Sequence, residues 1–144
     1  MSGGREEIAL ALFAKLSAVP GFVTVSRKMK HWSDTPASEQ PSLFVRQTGQ
    51  VYEQNLGLPP RLILNFEVAV YAQSSDPGDI PTSIQNALLD DVAAALAPDD
   101  FGTKALTLGG LCKHCWIDGN IETDEGLLGQ QTVALIPIKV LTNL

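Results

Sequence analysis

The residues most suited to chemistry in this chain are Cys112-Lys113-His114-Cys115. Two thiols three positions apart suit a dithiol redox centre or half of a zinc site. A redox pair of this kind normally opens a helix, whose dipole stabilises the thiolate. Here the four residues fall within a predicted strand, where positions three apart face opposite sides and the two sulfurs diverge. Zinc needs four ligands, and His31 and His114 are the obvious further donors. The expectation is that Cys115 is a small core residue and Cys112 a partly covered thiol. A Cys–His nucleophile pair from His114 and Cys115 fails for the same reason, since adjacent strand residues face opposite ways. A Ser-His-Asp set drawn from distant residues stays open. No GxSxG, HExxH, GxxxxGK[ST] or GxGxxG pattern occurs. The acidic pairs Asp90-Asp91 and Asp99-Asp100 fit a solvated helix face and a helix-end loop. The expectation is a non-enzyme with no catalytic residue, no metal and no cofactor.

The elements that must position these residues are legible from periodicity. In the last third, Leu111, Cys115, Ile117 and Ile121 fall on one parity. His114, Trp116, Asp118, Asn120 and Glu122 fall on the other, which predicts a half-buried strand. The run Gln131–Leu141 is apolar on both parities, so it is expected to be covered on both faces, centrally or at a subunit contact. Thr123–Gly126 supplies a turn between the two strands.

Upstream, Ile8, Leu12, Leu16 and Val19 recur at helical spacing, with Leu10 and Phe13 widening the apolar sector. Ser2 or Gly4 caps this helix and Pro20-Gly21 ends it. Residues 22–28 form a short strand, and His31–Pro41 is a loop with two prolines. Ser42–Thr48 is a second strand. Gly49–Pro60 is irregular, either a hairpin extension or a loop that orders on assembly. Arg61–Gln73 is the best strand, with Leu62, Leu64, Phe66, Val68, Val70 and Ala72 on one face. A second helix starts at Asp79 or Thr82, with Thr82-x-x-Gln85 as a capping box. It buries Ile84, Leu88, Val92, Ala95 and Leu96, turns Gln85, Asn86, Asp90 and Asp91 outward, and stops at Pro98. A short strand at Ala105–Leu108 is possible. The predicted class is α+β: a single mainly antiparallel sheet with two helices packed on one face, in the order α-β-β-β-α-β-β. One domain, residues 1–144, is expected.

Charge and composition narrow the partners. A net charge of −6, with the densest basic stretch limited to Arg27, Lys28, Lys30 and His31, argues against nucleic-acid recognition. No apolar run approaches the ~20 residues that span a bilayer. MSGGREEI lacks a basic then apolar leader, so the chain is expected in the cytoplasm with reduced cysteines. Charged residues make up only 18%, against about 25% in ordinary soluble domains, which points to surface covered by another protein. Trp32 sits in a polar loop, where its ring either folds back on the core or docks on a partner. Trp116 lies on the polar parity of its strand and points to an interface.

Several stretches together carry a family resemblance: SRKMKHWSD (Ser26–Asp34), EQPSLFV (Glu39–Val45), VYA closing the long strand (Val70–Ala72), ALLDDVAAALAPD (Ala87–Asp99), and the segment Leu108–Leu141 with its Trp-Ile-acid-Gly strand, acidic-Gly turn and Ile-Pro-Ile. The chain resembles the tail-terminator proteins of long-tailed bacteriophages, the lambda-like minor tail protein U type, over nearly its full length. The resemblance implies a structural virion protein, made in the host cytoplasm and resident in the tail. There it would cap the finished tail tube as a hexameric ring, stop tube polymerisation and present the head-joining surface. Implied partners are further copies of itself, the major tail protein of the tube and a head-completion or neck protein, with no membrane and no nucleic-acid sequence recognition. Residues expected at ring or tube contacts are Trp32, Asp34, Val51, Tyr52, Leu56, Leu58, Trp116 and Asp118. The competing readings are a head–tail connector or neck protein, a small CxxC thiol oxidoreductase, and an adaptor domain unrelated to phage.

Overall fold

The computed structural model describes residues 3–74, 78, 80–124 and 130–143. Helix α1 spans Arg5–Ser17 and α2 spans Pro81–Ala95. The strands are β1 (Thr24–Ser26), β2 (Ser42–Glu53), β3 (Arg61–Gln73), β4 (His114–Ile117), β5 (Glu122–Asp124) and β6 (Gln131–Asn143). The strand order is β1-β2-β3-β6-β4, with β5 also on β6. Among the described residues, only the short β1–β2 pairing is parallel. This is the expected α+β order, with the penultimate strand divided into β4 and β5.

Alternation in β3 and β6 builds the core. Leu62, Leu64, Phe66, Val68, Val70 and Ala72 of β3, with Ala134, Ile136, Ile138 and Val140 of β6, are buried on one face. There they meet Ile8, Leu12 and Leu16 of α1 and Leu88 and Val92 of α2, so both helices lie on one side. Register fixes this: Phe66 pairs with Ile138 and Val68 with Ile136. Leu12, Leu16, Leu64, Phe66, Leu88 and Val92 are buried as expected. Ile117 and Ile121 are half-buried against the same core.

Local departures have local causes. Helix α1 is capped at Gly4, whose N–H donates to Glu7 Oε1 at 3.3 Å. Leu10 points away from the sheet and is exposed. The start of α2 is Pro81, not Thr82; Pro81 fills the first helical position, where its missing N–H costs nothing. Asp79 and the expected cap at Ser2 lie outside the described residues. Gln85 is buried, not outward, because the buried line of α2 runs Gln85, Leu88, Val92, Leu96 while Ile84 is half-buried. The first strand is only three residues long. Ala105–Leu108 is not a strand; Ala105 makes a single bridge to Asp100. The Glu125-Gly126 part of the expected turn lies outside the described residues, and Thr123 and Asp124 belong to β5.

Two differences matter for function. Of the stretch Gly49–Pro60, the first five residues are strand: β2 continues to Glu53, with a register shift between Gln47 and Gly49, and makes with β3 the hairpin extension that was one of the two alternatives, while residues 54–60 form its tip. And β6 is not covered equally on both faces. Its even positions from Thr132 to Thr142 are buried, while Val133, Leu135, Pro137, Lys139 and Leu141 on the helix-free face are only half-buried.

Candidate assembly surface

Both thiols belong to the packed interior. Strand β4 starts at His114, so Cys112 lies in the preceding turn and strand parity does not govern it. The two sulfurs therefore do not diverge: Cys112 and Cys115 join the same core cluster, and Cys112 is buried, not partly covered. Cys112 Sγ donates weakly to the Leu106 carbonyl at 3.7 Å. Burial pushes the Cys112 thiol up to about 11, with the Asp99 carboxylate adding to the shift. Burial, and then Cys112 itself, push Cys115 up to about 12. A reactive thiol needs the opposite shift. Among the described residues no three His, Cys, Asp or Glu side chains gather as a metal site would require.

The acidic pair after α2 builds its loop. Asp99 Oδ1 accepts from Thr107 N at 2.6 Å and Thr107 Oγ1 at 2.8 Å, and Oδ2 accepts from Gly109 N at 3.0 Å. Burial acts to raise this carboxyl, but the bonds from Gly109 and Thr107 outweigh it and hold it below the usual carboxylate value. Asp100 similarly accepts from Gly102 N and Thr103 Oγ1.

The helix-free face of the sheet carries the most developed surface. Phe44, Ala69 and Tyr71 are buried there under Met29 and Trp32, beside Val133 and Leu135. Trp32 thus folds back onto the sheet. Its segment is tied down by Tyr71 Oη donating to the Lys30 carbonyl at 2.7 Å, and by Gln131 Nε2 donating to the Trp32 carbonyl at 3.2 Å. Burial raises the Tyr71 phenol above its ordinary value, so it remains a donor. Asp34 closes the short 3-10 turn Trp32–Asp34 and is exposed. Between this segment and β5 lies a groove of about 720 Å³. Tyr71, Val133 and Leu135 contribute apolar lining; Lys30 of the covering segment, paired with Glu39 at 3.2 Å, and Arg46 of β2 line it together with Glu122 and Asp124 of β5. Arg46 is bonded to Glu67 at 2.8 Å.

A second surface is the far end of the β2–β3 hairpin. Val51 and Tyr52 are exposed on β2, Leu58 is 61% exposed, and Leu56 at the tip is wholly exposed. The tip turns on a Leu58 N–H to Asn55 carbonyl bond of 3.0 Å, with Gly57 at φ +80°, a left-handed conformation that glycine adopts without strain. On β4, Trp116 is half-buried, stacks on His114 at 5.1 Å between centroids, and donates to Asp118 Oδ1 at 3.1 Å. Asp118 also pairs with Lys139 at 3.1 Å, and these two bonds lower its carboxyl value.

The eight residues singled out from sequence therefore occupy three places: Trp32 and Asp34 on the groove segment, Val51, Tyr52, Leu56 and Leu58 on the hairpin arm, and Trp116 on β4 with Asp118 just beyond its end. Sequence reasoning missed the groove itself. Its signal was present in the second apolar parity of β6 and in Tyr71 opposite Val133.

No family model matches the sequence, and no curated protein matches it. A solved structure does: a chain of the virion of a native gene transfer agent particle, with a TM-score of 0.56. The overlay covers 93% of this chain and 92% of that one at 10% sequence identity. The two chains are similar in fold from end to end.

Proposed function

We propose that this chain is a structural component of a phage-like virion, and within it a tail terminator. Copies form a ring, six in number, on the end of the completed tail tube, stop the addition of tube subunits and offer the surface to which the head joins. The observation that carries this reading is the end-to-end fold likeness to a chain of a gene transfer agent virion. The surfaces are compatible with it. A ring needs heterologous contacts, in which one patch meets a different patch on the neighbour. The exposed hairpin arm and the half-covered helix-free face are two such patches. The raised thiols favour a non-enzymatic role over an oxidoreductase. Partners are further copies of the chain, the tube subunit and a head-completion or neck protein, without nucleic-acid recognition or membrane contact. Assembly takes place in the host cytoplasm, and the protein ends in the virion tail. A head–tail connector is supported by the same likeness and differs in its partner.

The test is to replace Tyr52, Leu56 and Leu58 together by Ser in the producing phage and image the tails. All three side chains are exposed, so the monomer should stay folded. Overlong or headless tails are expected. Normal-length tails carrying heads, made with a folded variant, would refute the proposal, and loss of tails altogether would assign the chain to an earlier assembly step.

A further inference from the structure

The two patches fit each other. Leu56 and Leu58 stand out from a tip, residues 54–60, that carries no charge. The groove offers apolar lining at Tyr71, Val133 and Leu135. It is bounded by the Met29–Trp32 segment on one side and β5 on the other, with Tyr71, Val133 and Leu135 of β3 and β6 between them. A tip cannot reach the groove of its own chain. Between Arg46, paired with Glu67, and Glu53, paired with Arg61, the hairpin is laddered. That paired length holds the tip about 20 Å from the groove at ~3.3 Å per residue.

We propose that the ring contact is this pair of patches: the hairpin tip of one copy seats in the helix-free groove of the next. The inference rests on the ring reading above for closure only; the contact itself rests on the tip and the groove. Charge sets its orientation. Glu53 and Arg61, bonded at 3.0 Å, form the base of the tip. Lys30 and Arg46, on the side of the groove away from β5, are already paired with Glu39 and Glu67, whereas Glu122 and Asp124 make its β5 side acidic. A tip entering with Arg61 toward the β5 side sets that guanidinium against these carboxylates, and the reversed entry sets Glu53 against them instead. A single allowed orientation gives every neighbour the same rotation, which is what a closed ring needs. A seven-residue tip buries less than the ~1,200 Å² of a standard interface, so one contact is weak and free chains remain largely monomeric. Closing a ring on a template adds the contacts together.

The experiment mixes two full-length variants, Leu56→Cys and Glu122→Cys, at high micromolar concentration under mild oxidation, with circular dichroism confirming the fold of each. The native thiols are buried and stay out of the reaction. The expected product is a tip-to-groove disulfide in the mixture, roughly tenfold above either variant alone. Glu122→Cys combined with Asp124→Lys should lower it by about tenfold, and Arg61→Glu in the Leu56→Cys chain should restore it. Disulfides between two Leu56→Cys chains in equal yield, or no cross-link at all, would overturn the contact. If native mass spectrometry then still shows hexamers, the contact fails while the ring reading stands. A charge-dependent cross-link in a chain that adds no ring to finished tail tubes would uphold the contact and sink the ring.

Discussion

The thiols give the sharpest prediction, because two readings of the CKHC segment differ by orders of magnitude. A redox or nucleophilic role requires a thiolate near neutral pH. Here burial first, and then the negative charge nearby, lift Cys112 to about 11 and Cys115 to about 12 from an ordinary 9.0. At pH 8 the thiolate population should fall about a hundredfold for Cys112 and about a thousandfold for Cys115 against a free thiol. Exclusion of the reagent lowers the rate further. The assay is reaction with an aromatic disulfide reagent at pH 8, native and in denaturant. Two thiols should appear promptly in denaturant and neither in the native protein on the same timescale. The same shifts make stability pH-dependent. A thiol raised in the folded state contributes fully below 9.0 and loses that contribution as pH rises toward 11 to 12, since the unfolded chain ionises first. Replacing both cysteines by Ala should flatten that alkaline loss. Reaction of either native thiol at the free rate would refute the reasoning.

Other perturbations separate fold from surface. Phe66 is 3% exposed at the centre of β3. Phe66→Ala should cost ~3–5 kcal/mol in urea unfolding, and a loss below about 1 kcal/mol would mean that this face is not the core. Tyr52→Ala, on an exposed strand position, should leave stability within ~0.5 kcal/mol while weakening assembly. Tyr71→Phe removes the donor to the Lys30 carbonyl and should cost about 1 kcal/mol, with Trp32 fluorescence shifting as the groove segment loosens. Asp99, held below its ordinary 3.8, contributes stability that is present above that value and lost as pH falls through its lower folded value. Asp99→Ala should therefore destabilise at neutral pH and show a shallower acid loss.

The layout of the fold was legible because its periods are clean. Leu62 to Ala72 alternate without a break, and Ile8, Leu12 and Leu16 keep one helical stripe. Boundaries were less legible where one residue overrides a pattern. Pro81 starts α2 ahead of the Thr82 capping motif, and the turn before His114 takes Cys112 out of the strand pattern that would separate it from Cys115. The hairpin arm was hidden by composition. QVYEQNLGLPP leaves a hairpin extension and a loop both open, and the pairing of Val51 with Ile63 and Tyr52 with Leu62 makes its first four residues strand. The groove was harder still, since it joins Trp32, Tyr71, Leu135 and Asp124 from four separate segments. Sequence periodicity reports which face a residue takes, not which distant segment covers that face.

The proposed terminator role requires the protein to sit at one end of a finished tail tube. The direct measurement is electron microscopy of tubes grown from the major tail protein of the same phage, with and without this chain. The account predicts a single ring of added density at one end of each tube and no elongation from that end when more tube subunit is supplied. Tubes that bear no added density and elongate from both ends at an unchanged rate would contradict it.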